Sequence, residues 1–153
     1  MIRYKPKAAV GHGAPSDKKL WGHIFEARAL IGEEKWRAAD LESLNANWED
    51  LEAIFGDDPT IDATTPEGRL QILKAVASEI AAKDYAGPGR QPPERSTKSG
   101  TLGKELMPFC WRSAFFGNEL MYFKFCFSGT DKDRRVCIHS LHKSKKRNRV
   151  NGN

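Results

Sequence analysis

The sequence predicts an α+β protein, with about three helices in the N-terminal half packed on a C-terminal antiparallel sheet of three to four strands. Three observations carry this. Apolar residues recur at helical spacing up to about residue 85. Three segments rich in Phe, Tyr, Trp, Val and Ile follow residue 104, parted by turn residues. Between them, residues 86–104 are Pro, Gly, Ser, Thr and basic residues without periodicity. We read residues 1–153 as a single domain made of an acidic helical part (1–85), a loop (86–104) and a basic sheet with its tail (105–153).

Residues 1–15 read as irregular, with a short strand at Ile2–Lys5. The first helix starts at Ser16 or Asp17, either of which can accept from its free N–H groups. Leu20, Ile24, Ala27 and Ile31 share one face, and Trp21 and Phe25 widen it. Gly32 offers a left-handed stop. A second helical pattern spans Glu33 to Phe55, with Leu41, Leu44, Trp48, Leu51 and Phe55 on one stripe; Asp40 can split it in two. The third helix has Thr65 as cap, Pro66 at the first position and Glu67 at the positive end, and runs to about Lys83. Its buried face is Leu70, Leu73, Ala77 and Ile80, with Ile72 and Val76 beside it. Three strands are expected at Leu106–Phe116, Glu119–Phe127 and Arg134–Leu141.

The net charge of +5 is unevenly spread. Residues 1–85 hold 11 Lys+Arg against 15 Asp+Glu, and residues 86–153 hold 14 against 5. A basic half of this kind suits a polyanionic partner. No apolar run approaches the roughly 20 residues of a membrane helix, and the basic N-terminus lacks the apolar stretch of an export signal. A cytoplasmic protein without a membrane partner is expected. Cys110, Cys126 and Cys137 are odd in number and have no CxxC spacing, so neither a disulfide framework nor a zinc ribbon is indicated. A site built from these thiols and His139 is outweighed by their use as small apolar residues. No metal and no cofactor are expected.

Alternation assigns the faces of the strands. Met121, Phe123, Phe125 and Phe127 form a core face. Leu120, Tyr122, Lys124 and Cys126 form the other, which is read as open. Val136 and Ile138 point to the core, so Arg135, Cys137 and His139 fall opposite. If Trp111 packs inward, Arg112 joins them, provided that the turn at Gly117-Asn118 is longer than two residues or bulged. His142, Lys143, Lys145, Lys146 and Arg147 follow. Such a face can hold a phosphodiester. Arg and Lys neutralise phosphate and the added charge of a pentavalent transition state. A histidine moves protons at the 2′-OH and the leaving 5′-oxygen. Tyr122 stacks on a base or donates a proton.

Trp111-Arg112, then Tyr122-Phe123-Lys124-Phe125, then Val136 to Lys146 resemble the pattern of the RelE/ParE superfamily of bacterial toxins, over about the last third of the chain. Pro108 interrupts the first of these strands. The resemblance implies a helical hairpin on a twisted sheet. It also implies a type II toxin held inactive by an antitoxin. RelE- and HigB-like members cleave mRNA at the ribosome without a metal. On that reading Arg112 and Lys124 are phosphate and transition-state ligands, and His139 or His142 is the acid/base. Tyr122, Arg135, Lys143, Lys145, Lys146 and Arg147 contact RNA. ParE-like members instead inhibit a DNA enzyme. A non-enzymatic binding module of that kind, or a phage or mobile-element protein that grips nucleic acid or protein, is the alternative.

Overall fold

The computed structural model describes residues 15–38, 48, 51, 61–87 and 106–144. Among them are two α-helices, α1 (Asp17–Gly32) and α2 (Pro66–Glu79), and four strands, β1 (Trp36–Ala38), β2 (Met107–Ser113), β3 (Glu119–Ser128) and β4 (Arg135–Lys143). The strands form one sheet in the order β1-β4-β3-β2. The pairs β2–β3 and β3–β4 are antiparallel, as expected, whereas β1 runs parallel to β4 with Trp36 opposite Val136. The sheet is therefore mixed. The expected strand at Ile2–Lys5 and all but the first two residues of the expected loop 86–104 lie outside the described residues.

The start of α1 follows its local chemistry. The Ser16 hydroxyl accepts from the Lys19 N–H at 3.2 Å. Its end does not: Gly32 stays helical and Glu34 takes the left-handed conformation (φ 62°). The N–H groups of Glu33, Glu34 and Lys35 bond back to Ala29, Ile31 and Leu30, and the chain leaves directly into β1. This replaces the beginning of the expected Glu33–Phe55 helix. Of that pattern only Trp48 and Leu51 are described, both helical and buried.

The start of α2 is as the sequence reads. Thr65 Oγ1 accepts from the Gly68 N–H at 3.0 Å, and Pro66 takes the first helical position. Gly68 is there for space, since an added Cβ would lie 1.7 Å from the Asp62 carbonyl oxygen. The helix stops at Glu79 rather than Lys83 because Arg28 of α1 occupies its end. The guanidinium donates from Nε to the Ala77 carbonyl at 2.7 Å, and from one terminal nitrogen, Nη2, to both Ser78 (3.2 Å) and Ile80 (3.4 Å). These are carbonyls that a helix end leaves without an internal partner.

Both helices pack on one face of the sheet. Leu20, Ile24, Ala27 and Ile31 meet Ile72, Leu73, Val76 and Ala77, and all of these meet the Phe109, Phe123, Phe125 and Ile138 side chains in a single core. Trp21 widens this face as expected, half-buried against the core, but Phe25 does not: it is 55% exposed. Arg134 forms a two-pronged pair with Glu26 of α1 and lies 4.8 Å from the Phe127 ring, tying the start of β4 to the helix layer.

One carboxylate joins α2 to the sheet. Glu79 accepts from Trp111 Nε1 at 3.0 Å, from Ser113 Oγ at 2.5 Å and from the Phe115 N–H at 2.9 Å. A negative charge at a helix C-terminus opposes the helix dipole. Three donors offset that and pin the end of β2. Glu79→Ala leaves them without this acceptor and should lower unfolding free energy by about 2–3 kcal/mol in urea denaturation. A loss below about 0.5 kcal/mol would contradict this account of the joint.

Candidate nucleic-acid interface

The second face of the sheet takes its arrangement from two backbone irregularities. The β2–β3 connection is the five-residue turn Ala114–Asn118, in which Gly117 and Asn118 both have positive φ (68° and 66°). It places Arg112 opposite Leu120 and Trp111, on the core side, opposite Met121. Arg112 thus shares the face of Tyr122 and Lys124, meeting the condition read from the sequence. The second irregularity is a bulge in β4. Phe125 pairs with Ile138 and Lys124 with Ser140, so His139 is the extra residue. The slip brings His142 opposite Tyr122.

Pro108 does not break β2. The Ala86 N–H bonds to the Pro108 carbonyl at 2.9 Å, on the side away from β3. The ring nitrogen of Pro108 points to the same side, where the β3 ladder requires no donor from it.

Three predicted residues come together. The rings of Tyr122 and His142 are 5.5 Å apart, and Lys124 Nζ lies 6.0 Å from the Tyr122 ring centroid. His142 Nδ1 is 2.7 Å from the Lys143 carbonyl oxygen. A carbonyl only accepts, so Nδ1 donates, and in the neutral ring the lone pair sits on Nε2. Arg112 is exposed, with a guanidinium nitrogen 3.3 Å from the Asn118 carbonyl. Lys143 is exposed, with Nζ 4.0 Å from Glu119.

Other predicted residues are elsewhere. Arg135 lies at the opposite end of β4, about 20 Å from His142 by strand rise. Its Nε donates to the Asp133 carbonyl at 3.2 Å. His139 Nε2 is buried, whereas His142 is half-buried. Lys145, Lys146 and Arg147 lie outside the described residues. Nor is the face as open as alternation implies. Tyr122 is 9% exposed, and Cys126 and Cys137 are fully buried in a second small cluster with Leu106. Against the Tyr122 ring lie His142 and Lys124, in the position expected of a base.

The sequence reading missed Arg37, and it left open whether the cysteines meet across the sheet. Cys126 is directly opposite Cys137 across β3–β4, and Arg37 is opposite Cys137 across β1–β4. The Cys137 thiol is pulled down to about 7, first by the hydrogen bond from the Cys126 thiol. Burial opposes that shift and the Arg37 charge adds to it. No residue spacing announces this pair, because it depends on the register. Among the described residues no group of three or more His, Cys, Asp or Glu is placed to hold a metal ion.

No protein-family model matches the chain, and no curated protein or solved structure matches it.

Because the folded state favours the Cys137 thiolate, its stabilisation is full above the ordinary thiol value of 9.0 and fades as pH falls through about 7. Wild-type stability should therefore rise by about 1 kcal/mol between neutral and alkaline pH, and Cys137→Ala should flatten that rise. Denaturant unfolding at several pH values measures it. Equal slopes in both proteins would disprove the shift.

Proposed function

We propose that the chain is a metal-independent endoribonuclease of the RelE/HigB-like type, the toxin of a type II toxin–antitoxin pair. On this reading it works in the cytoplasm on mRNA at the ribosome and is restrained by a cognate antitoxin. The observation that supports it most is that His142, whose Nδ1 donates to the Lys143 carbonyl oxygen, and Lys124 both lie against the Tyr122 ring.

The chemistry follows from those groups. Nε2 takes the proton of a 2′-OH, whose oxygen attacks the adjacent phosphorus. Lys124 and Arg112 stabilise the charge that builds on the equatorial oxygens. The P–O5′ bond breaks as the 2′-O–P bond forms, the 5′-oxygen takes its proton from solvent water, and the products are a 2′,3′-cyclic phosphate and a 5′-hydroxyl. Tyr122 acts here as the platform that orients His142 and Lys124. His142 takes the acid/base role in preference to His139, whose Nε2 is buried. Lys143 steers the RNA backbone. A non-enzymatic binding role is the second reading. The burial of Tyr122, Cys126 and Cys137 favours it, since it leaves charge rather than stacking surface on this face.

Inducible expression in bacteria tests the proposal, with RNA integrity and protein synthesis followed over time. Wild type should deplete mRNA, and His142→Ala or Lys124→Ala should each slow cleavage by about a hundredfold or more. Intact RNA under wild-type expression would sink the nuclease reading. Growth arrest with intact RNA would instead favour the binding protein.

A further inference from the structure

Helix α1 has two seams of identical spacing. Leu20, Ile24, Ala27 and Ile31 are buried in the core. Lys18, Gly22, Phe25 and Ala29 are all exposed. The second seam borders a shallow apolar groove of about 570 Å³ lined by Lys18, Trp21, Gly22 and Phe25. Phe25 is stacked on Trp21 at 5.5 Å. The Arg28 guanidinium, held by the α2 carbonyls, lies 5.3 Å from the Phe25 ring centroid and 5.9 Å from that of Trp21. Phe25 is thus a supported, exposed knob. One turn away is a notch, because a Cβ built on Gly22 meets nothing within 4 Å.

The charges of α1 suit a neighbour better than the helix itself. Lys18 and Lys19 sit in its first turn, and Glu33 and Glu34 follow its last. Both placements oppose its own dipole, and Asp17 is the single acidic residue in the first turn. In an antiparallel pair of such helices the signs become complementary.

We propose that the exposed face of α1 is a dimer interface between two copies of this chain, with the two helices packed antiparallel about a twofold axis. The axis falls between Gly22 and Phe25. Each Phe25 then fills the space above the partner copy's glycine, a self-complementary arrangement of the kind twofold symmetry requires. Lys18 comes beside Ala29 of the other copy, one turn from Glu33, which Lys35 contacts within its own chain at 3.1 Å. Exposed aromatic area supported by arginine is the composition that carries binding energy at interfaces. This inference is independent of the RNA chemistry proposed for the sheet.

Sedimentation of the full chain from micromolar to submillimolar concentration tests it. The mass should pass from 17.2 kDa to twice that value. Phe25→Asp, and separately Gly22→Leu, should each weaken association at least about tenfold. Circular dichroism and thermal melting should show the fold retained, since Phe25 is exposed and leucine is the better helix former. Lys18→Glu should weaken the dimer, and adding Glu33→Lys should restore it. A wild-type chain that stays monomeric over the whole range would overturn the proposal and leave the face to a different protein. A dimer that survives both Phe25→Asp and Gly22→Leu would overturn it equally.

Discussion

The structure depends on the meeting of Glu79 with Trp111, Ser113 and the backbone of Phe115. Helix α2 ends there, β2 ends there, and the turn that sets the β2–β3 register begins there. Ser113 extends the joint by accepting from the Phe116 N–H at 3.1 Å. The neighbouring α2 carbonyls are taken by Arg28 of α1, so one short stretch fixes both helices and one strand. These groups are partly buried, where an unmade hydrogen bond costs more than a made one contributes. The turn it positions decides that Arg112 faces the same side as Lys124. The position of the candidate site is therefore inherited from a helix end on the opposite face.

Much of the fold was legible because its signals are local. Ser16, Thr65 and Pro66 mark helix starts through the first N–H groups, whose chemistry is short-range. The buried face of α1 matches its spacing residue for residue at Leu20, Ile24, Ala27 and Ile31. The three long strands fall where aromatic and β-branched residues lie between turns. What escaped was non-local. Strand β1 is three residues long and owes its existence to a parallel partner far along the chain. Periodicity could not place Phe25 inside or outside the edge of the core stripe. The early stop of α2 depended on an arginine from another helix.

The candidate site divides in the same way. Alternation put Tyr122 and Lys124 on one face, because strand geometry enforces it. It could not foresee the bulge, which removes His139 from the ladder and brings His142 to Tyr122. Nor could it foresee how deeply that face is buried. Residue types announced the chemistry, and the backbone irregularities selected which residues share it.

The pairing of β1 with β4 has a consequence for how the chain is made. Trp36 and Val136 are 100 residues apart in sequence, yet they are neighbours. During synthesis the helices and the β2–β3 hairpin can form from contacts close in sequence. β1 must wait until β4 has been made, and closing so large a loop is slow compared with local steps. Until it docks, the edge of β4 at Val136–Ile138 offers unpaired backbone groups, the kind of edge on which chains aggregate. A three-residue strand thus serves less as a source of stability than as the last cover on an edge that the nascent protein cannot protect by itself.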